Sequence, residues 1–221
     1  MKEWVHILRY ISGNRTLGLK YYADMNDTPV TDLLRQAIIK TDNNLIVFSD
    51  SSWQDCPDTG RSTRAYIIFY QGGTIDHVTH VPGPVAQSSA ESKYNSACTT
   101  GMSLAYFRVS IYEFFNKDPD IVPEEAPLIV LDSKSDICMA NNGKDTKHTI
   151  YIARRMDFVR NGENCKLRKI DWCERGLKLE DIVTKNVGET DLTPRMKLIM
   201  VRLDNYDRTL VKKGDIIHDI P

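Results

Sequence analysis

Apolar and polar positions along this chain follow two periods. Residues 2–12 place Trp4, Val5, Ile7, Leu8 and Ile11 at helical spacing, with Gly13 as the stop. A short strand is expected over Leu17–Tyr22 and a helix over Asp32–Lys40. From Leu45 the pattern becomes regular. Leu45-Ile46-Val47-Phe48 is an unbroken apolar run that predicts a buried strand, and Ser49-Asp50-Ser51-Ser52 ends it with short polar side chains. Ala65–Tyr70 and Thr74–His80 read as two more strands joined by a tight turn at Gly72-Gly73, so three strands form an antiparallel meander. Ser88-Ser89-Ala90-Glu91 reads as a capping box opening a helix to about Phe115, whose stripe 90, 94, 97, 101, 104, 105 should face the sheet.

The second half continues in the same way. A strand is expected at 128–131, a helix near Ser135–Asn141, and a break at Asn142-Gly143. Thr146–Arg160 reads as a helix stopped by Asn161-Gly162, Lys166–Trp172 as a strand, Leu177–Lys185 as a short helix, and Leu192–Leu203 as a closing one. The charged stretch 204–221 is expected to be loosely held. A meander followed by alternating helices and strands predicts an α/β chain with a mixed sheet and helices on its faces.

Composition narrows the function classes. At 221 residues and 41% hydrophobic, the chain can build one full core with a small appendage. A net charge of −1 gives no global electrostatic case for nucleic acid. Charge is nevertheless uneven: between Lys144 and Lys178 stand ten Lys/Arg against five acids. Lys147, His148, Arg154, Arg155 and Arg160 lie on or beside one predicted helix, and Lys166, Arg168 and Lys169 follow on a strand. That segment is either a solvated face or a phosphate-backbone contact. The five cysteines contain no C-x-x-C pair, and Cys98 and Cys138 fall in helical patterns as small apolar groups, which fits reduced thiols inside a cell. No apolar run is long enough to span a bilayer, so an intracellular protein of cytoplasm or nucleus with no membrane partner is expected.

The chemistry lies in the acids. Asp50 ends the first strand, and Pro127-Leu-Ile-Val-Leu-Asp132-Ser repeats the motif of apolar run, Asp and Ser-rich turn. Side by side, two such strands bring Asp50 and Asp132 to one sheet edge. Glu91 and Asp181 are the other candidates. Hydrolysis of a phosphodiester by two divalent ions needs several carboxylates around ions ~3.5–4 Å apart, and such hard ions take oxygen ligands. Other chemistries find no support: there is no phosphate loop of P-loop type, no Gly-x-Ser-x-Gly, and His77, His80 and His148 lack metal-ligand spacing.

The ordered words Phe48-Ser-Asp50-Ser-Ser-Trp53, Asp58-Thr-Gly-Arg61-Ser-Thr63, Gln87-Ser-Ser-Ala-Glu91-Ser-Lys93-Tyr94, Leu131-Asp132-Ser-Lys-Ser, Thr146-Lys-His148 and Asp181-Ile-Val-Thr-Lys185 resemble the ribonuclease H region of copia-type long-terminal-repeat retroelement (retrotransposon) polyproteins. The resemblance covers roughly residues 4–187. It implies a ribonuclease H-like fold, a five-stranded mixed sheet of three antiparallel strands and then parallel ones, flanked by helices. It also implies hydrolysis of the RNA strand of an RNA–DNA hybrid, with two Mg²⁺ or Mn²⁺ ions held by Asp50, Glu91, Asp132 and Asp181, and with Lys147, His148, Arg154 and Arg155 toward the substrate. The implied partner besides the hybrid is the polymerase portion of the parent polyprotein. Residues 1–43 resemble the connection to that polymerase, 44–187 the ribonuclease H-like domain, and 188–221 a closing helix and tail.

One departure bears on activity. Copia-type motifs read Ser-Ser-x-Glu-x-Glu-Tyr, and the second acid is here Lys93. Glu91 is then either a substitute ligand or a capping residue. Three aspartates with Lys93 carry −2 where four acids carry −4. At about 4 Å and an effective dielectric near 20, a unit pair is worth about 4 kcal/mol, so an ammonium beside a divalent ion meets roughly 8 kcal/mol of repulsion. A second departure is Asp157, where the family usually carries His. Two readings stand: a hybrid-cutting nuclease weakened by Lys93, and a catalytically inactive nucleic-acid-binding remnant of the same fold.

Overall fold

The computed structural model describes residues 12–13, 16–22, 26, 28–37, 39, 44–56, 58–82, 85–118, 125–132, 153–173, 179, 181–184 and 195–202. Residues 2–11 of the first expected helix and the helix expected near 135–141, together with Cys138, Lys147, His148 and the tail 204–221, lie outside these residues. In chain order the elements are β1 (Leu17–Leu19), α1 (Pro29–Gln36), β2 (Leu45–Ser52), β3 (Thr63–Tyr70), β4 (Gly73–His80), α2 (Ser89–Phe114), β5 (Leu128–Leu131), α3 (Ala153–Asn164), β6 (Lys169–Trp172), α4 (Asp181–Thr184) and β7 (Met200–Arg202).

Five strands form one sheet in the order β4-β3-β2-β5-β6. β2, β3 and β4 are antiparallel, while β5 and β6 run parallel to β2. That is the five-stranded mixed sheet of three antiparallel strands and then parallel ones expected above. β2 is central because its apolar run can be buried on both sides. Its odd positions, Leu45 and Val47, join Tyr66, Ile68, Tyr94, Leu104, Ile129 and Val159 beneath α2 and α3. Its even positions, Ile46 and Phe48, meet Val30, Leu33 and Leu34 of α1, with Phe69, Val130 and Leu179, on the opposite face. The alternation follows from the two-residue repeat of a strand.

The hairpin between β3 and β4 turns one residue earlier than expected. Gln71 and Gly72 both have positive φ, 50° and 69°, as a two-residue type I′ turn requires, and Gly73 already pairs with Tyr70. At the chain's end the expected helix also changes. Residues 195–199 are helical, but Met200–Arg202 pairs antiparallel with β1, Leu19 opposite Met200. β1 has a free edge, and pairing it satisfies backbone groups that a continuing helix would leave open.

Asn161-Gly162 does not stop the helix before β6. α3 runs through it to Asn164, and the chain turns at Lys166, whose φ is 55°. Gly162 serves packing instead. The Arg168 side chain is turned inward, 5% exposed, with its guanidinium 4.2 Å from the Phe158 ring centre. It threads between Gly101 of α2 and Gly162 of α3, and a Cβ at either glycine would collide with it. Burial pulls this guanidinium below its ordinary pKa. The strand expected from Lys166 therefore begins only at Lys169, and Arg168 is a core residue rather than part of a basic face.

Gly162→Ala is expected to destabilise the fold by about 1–3 kcal/mol through overpacking. Combined with Arg168→Ala, which removes the obstacle, the same change should become neutral or stabilising, because Ala is favoured over Gly in a helix by about 1 kcal/mol. A double-mutant cycle by urea unfolding measures this, and additive losses would contradict the glycine cradle.

Candidate functional site

The site begins with how closely α2 approaches β2. Ser92, Ser96 and Thr100 are spaced four apart and share one face of α2. Ser51 Oγ lies 2.6 Å from Ser92 Oγ, and Ser49 Oγ lies 3.1 Å from Ser96 Oγ and 2.8 Å from Thr100 Oγ1. Ser96 also donates to the Asp50 carbonyl at 2.8 Å. Short side chains allow close contact, and their mutual hydrogen bonds satisfy the buried hydroxyls. Of the expected apolar stripe, Tyr94, Ala97, Gly101 and Leu104 are buried, but Ala105 is exposed. The polar seam beside that stripe touches β2 directly.

At the start of α2, Ser88 accepts from the Glu91 amide at 3.1 Å as an N-cap. The Glu91 carboxylate turns back to accept from the Gln87 amide at 2.6 Å. It works as a cap, with the reciprocal bond one residue earlier than a capping box places it.

Lys93 follows Ser92 and reaches over the sheet margin. Its Nζ lies 2.5 Å from Asp132 Oδ1 and 3.6 Å from Asp50 Oδ1. The two carboxylates meet because β2 and β5 are parallel, with Phe48 opposite Val130, so each aspartate stands two residues past a paired position. Both are deeply buried, with side chains 1% and 3% exposed against 20% for Lys93. Thr184 Oγ1 donates to Asp50 Oδ2 at 3.4 Å, and the Trp172 indole donates to the Asp132 carbonyl at 3.1 Å. Asp181 begins α4, the same short helix that carries Thr184, and its carboxylate pairs with Arg195 at 3.8 Å.

The structure thus brings Asp50 and Asp132 together around one ammonium. It gives Glu91 to the helix cap and Asp181 to an arginine. Thr184 and Trp172 were not singled out from sequence. Thr184 stands one helical turn after Asp181, which was the available signal. Of the basic residues expected to face substrate, Arg155 donates to Asn95 Oδ1 at 2.7 Å and Arg154 is exposed. Arg160 pairs with Asp157 at 3.1 Å and Lys169 with Asp171 at 3.7 Å.

Paired divalent ions are what the sequence resemblance implies, and the donor set does not fit them. Among the described residues no group of three or more His, Cys, Asp or Glu side chains converges to hold a metal ion. The space between the two aspartates is taken by an ammonium. At about 4 Å and an effective dielectric near 20, each contact attracts it by about 4 kcal/mol, and a divalent ion would have to displace it.

Lys93→Met should remove the ammonium from between two buried carboxylates. A loss of about 3–5 kcal/mol is expected, the range for removing one partner from a buried ion pair. Denaturant unfolding at neutral pH measures it, and a change under 1 kcal/mol would mean that the ammonium is not what holds the two acids together.

No family model matches the chain, and no curated protein matches it. Solved structures do match in backbone arrangement. RNase H1 from Halobacterium salinarum NRC-1 is 12% identical, with a TM-score of 0.46, over 63% of this chain and 92% of that one. The N-terminal RNase H domain of a Mycobacterium tuberculosis protein is 9% identical, with a TM-score of 0.46, over 69% of this chain and 96% of that one. LC11-RNase H1, isolated from compost by a metagenomic approach and solved in complex with an RNA/DNA hybrid, is 13% identical, with a TM-score of 0.45, over 63% and 92%.

Proposed function

We propose that this chain is a ribonuclease H-like domain of a copia-type retroelement polyprotein that has kept hybrid binding and lost, or nearly lost, hydrolysis. The observation that carries the reading is the Lys93 ammonium between Asp50 and Asp132. It favours the inactive nucleic-acid-binding alternative over the weakened nuclease, because an internal cation neutralises the carboxylates that ions would need. The ordered motif run from Phe48 to Lys185 supports the family, and the sheet order supports the architecture. Arg154 and Arg155 on α3, with Lys147 and His148 before it in sequence, are the proposed contacts to the duplex backbone. Asp50, Glu91, Asp132 and Asp181 are the remaining acids of the proposed ancestral centre. The proposed setting is the cell interior, with the polymerase portion of the polyprotein as partner.

Hybrid cleavage in Mg²⁺ tests the reading. The chain as it stands is expected to bind a short RNA–DNA hybrid without cutting it, whereas Lys93→Glu should bind divalent ions and show cleavage. Robust Mg²⁺-dependent cutting by the unaltered chain, abolished by Asp132→Asn, rejects the loss of activity.

A further inference from the structure

The last turns of α2 run on past the part of the helix that is buried. Leu104 is its last buried residue, and residues 105–114 extend the helix by about 15 Å. From Met102 to Phe114 only Arg108 and Glu113 are charged, and apolar side chains are spread all round the helix. One side of it is accounted for. Phe107 and Ile111 pack, with Tyr70, against the core between α2 and the sheet. Arg108 is turned over the Tyr112 ring, 5.6 Å from its centre. The other side carries Met102, Tyr106 and Phe114, which with Phe115 at the helix end are between 51% and 80% exposed. A helix that is apolar all round is normally buried, and this one presents a contiguous apolar side to solvent.

Met102, Tyr106, Ser110 and Phe114 are spaced four apart and form one ridge along the helix. Ala105, Val109 and Glu113 form the next ridge, whose one charge falls at its end. Ser110 is the short member of the first ridge and makes a notch between two aromatic rings. Each of those rings is braced by a neighbour: Tyr106 meets Phe107 edge-on at 5.5 Å between centres, and Phe114 meets Phe115 at 5.2 Å. Ridges of this spacing fit the grooves of an identical helix when the two cross near −50°. With the crossing between Tyr106 and Ser110, Tyr106 of each copy enters the notch of the other, and the contact closes on itself about a two-fold axis. We propose that this face of α2 is a self-association surface through which two copies of the chain form a dimer. Its area sets the strength. An aromatic side chain offers about 150–250 Å², so the exposed parts of these four side chains supply about 500 Å² per copy and about 1,000 Å² in the pair. That reaches the lower end of specific interfaces, so the dimer is reversible rather than obligate. The ridge begins at Met102, about 14 Å along the helix from Lys93, so the surface is separate from the Lys93–aspartate pair and the inference is independent of hybrid binding.

Sedimentation velocity of the full chain from about 1 to 200 μM measures the association, with a reductant present so that the exposed Cys165 cannot link copies. A monomer–dimer equilibrium with a midpoint in the micromolar range is expected. Tyr106→Glu and Phe114→Glu place a charge on the ridge at exposed positions, and each should weaken dimerisation at least about tenfold. Circular dichroism checks that each variant keeps its fold, and if one unfolds the other decides. Val85→Glu, at an exposed apolar position before α2, should leave the dimer unchanged. A chain that stays monomeric throughout overturns the proposal and leaves the ridge to a different protein. A dimer that persists in the folded ridge variants overturns it too. Equal weakening by Val85→Glu, or growth beyond the dimer, marks non-specific association and likewise rejects the interface.

Discussion

Two carboxylates buried side by side have to be neutralised, and much of this molecule is arranged around how that is done. The parallel register of β2 and β5 carries Asp50 and Asp132 past the ends of their paired stretches and into one another's neighbourhood. Neither side chain is accessible enough for water to screen the repulsion. An internal ammonium is one solution, a pair of metal ions another. Lys93 supplies the first, and the consequences reach outward. α2 has to lie close enough to β2 for a lysine stem to cross the margin, which the seam of Ser92, Ser96 and Thr100 permits. α4 has to approach from the other face, where Thr184 binds the second oxygen of Asp50.

Charge that comes from the chain itself behaves differently from charge that comes from solution. A tethered ammonium is always present and needs no ion concentration to stabilise the pair. It also carries only one unit, and offers no open coordination position at which a phosphate oxygen or a water could be polarised. On the reading proposed above, the ammonium that neutralises the pair without metal would also remove the means of activating a nucleophile. The proposed contacts to a duplex are other groups, Arg154 and Arg155 on α3, so binding as proposed would not require ions at the two aspartates.

Arg168 and Arg64 show how position in the fold decides what an arginine is for. The first is enclosed by two glycines and the Phe158 ring, and acts as a packing element with a polar tip. The second is half-buried at the start of β3, and burial pulls its guanidinium below its ordinary pKa. Both belong to residue types that sequence alone assigns to a solvated surface, and both are partly or wholly removed from water.

The sequence by itself determined the strands, because the apolar runs 45–48 and 128–131 and the meander before α2 carry their period locally. It also determined that Asp50 and Asp132 end two such strands, and that Lys93 stands where a carboxylate was expected. Tertiary structure alone decided which groups share one centre. Whether Glu91 turns to its cap or to Asp50, whether Gly162 ends a helix or makes room for a guanidinium, and whether Met200 continues a helix or pairs with β1 depend on contacts between residues far apart in the chain. Hydropathy does not encode the seam of hydroxyls under α2, since each serine is polar alone and becomes a core residue only when a partner hydroxyl meets it. Burial and pairing are properties of the assembled neighbourhood, and that is why the candidate acids and Lys93 could be named from sequence but their pairing could not.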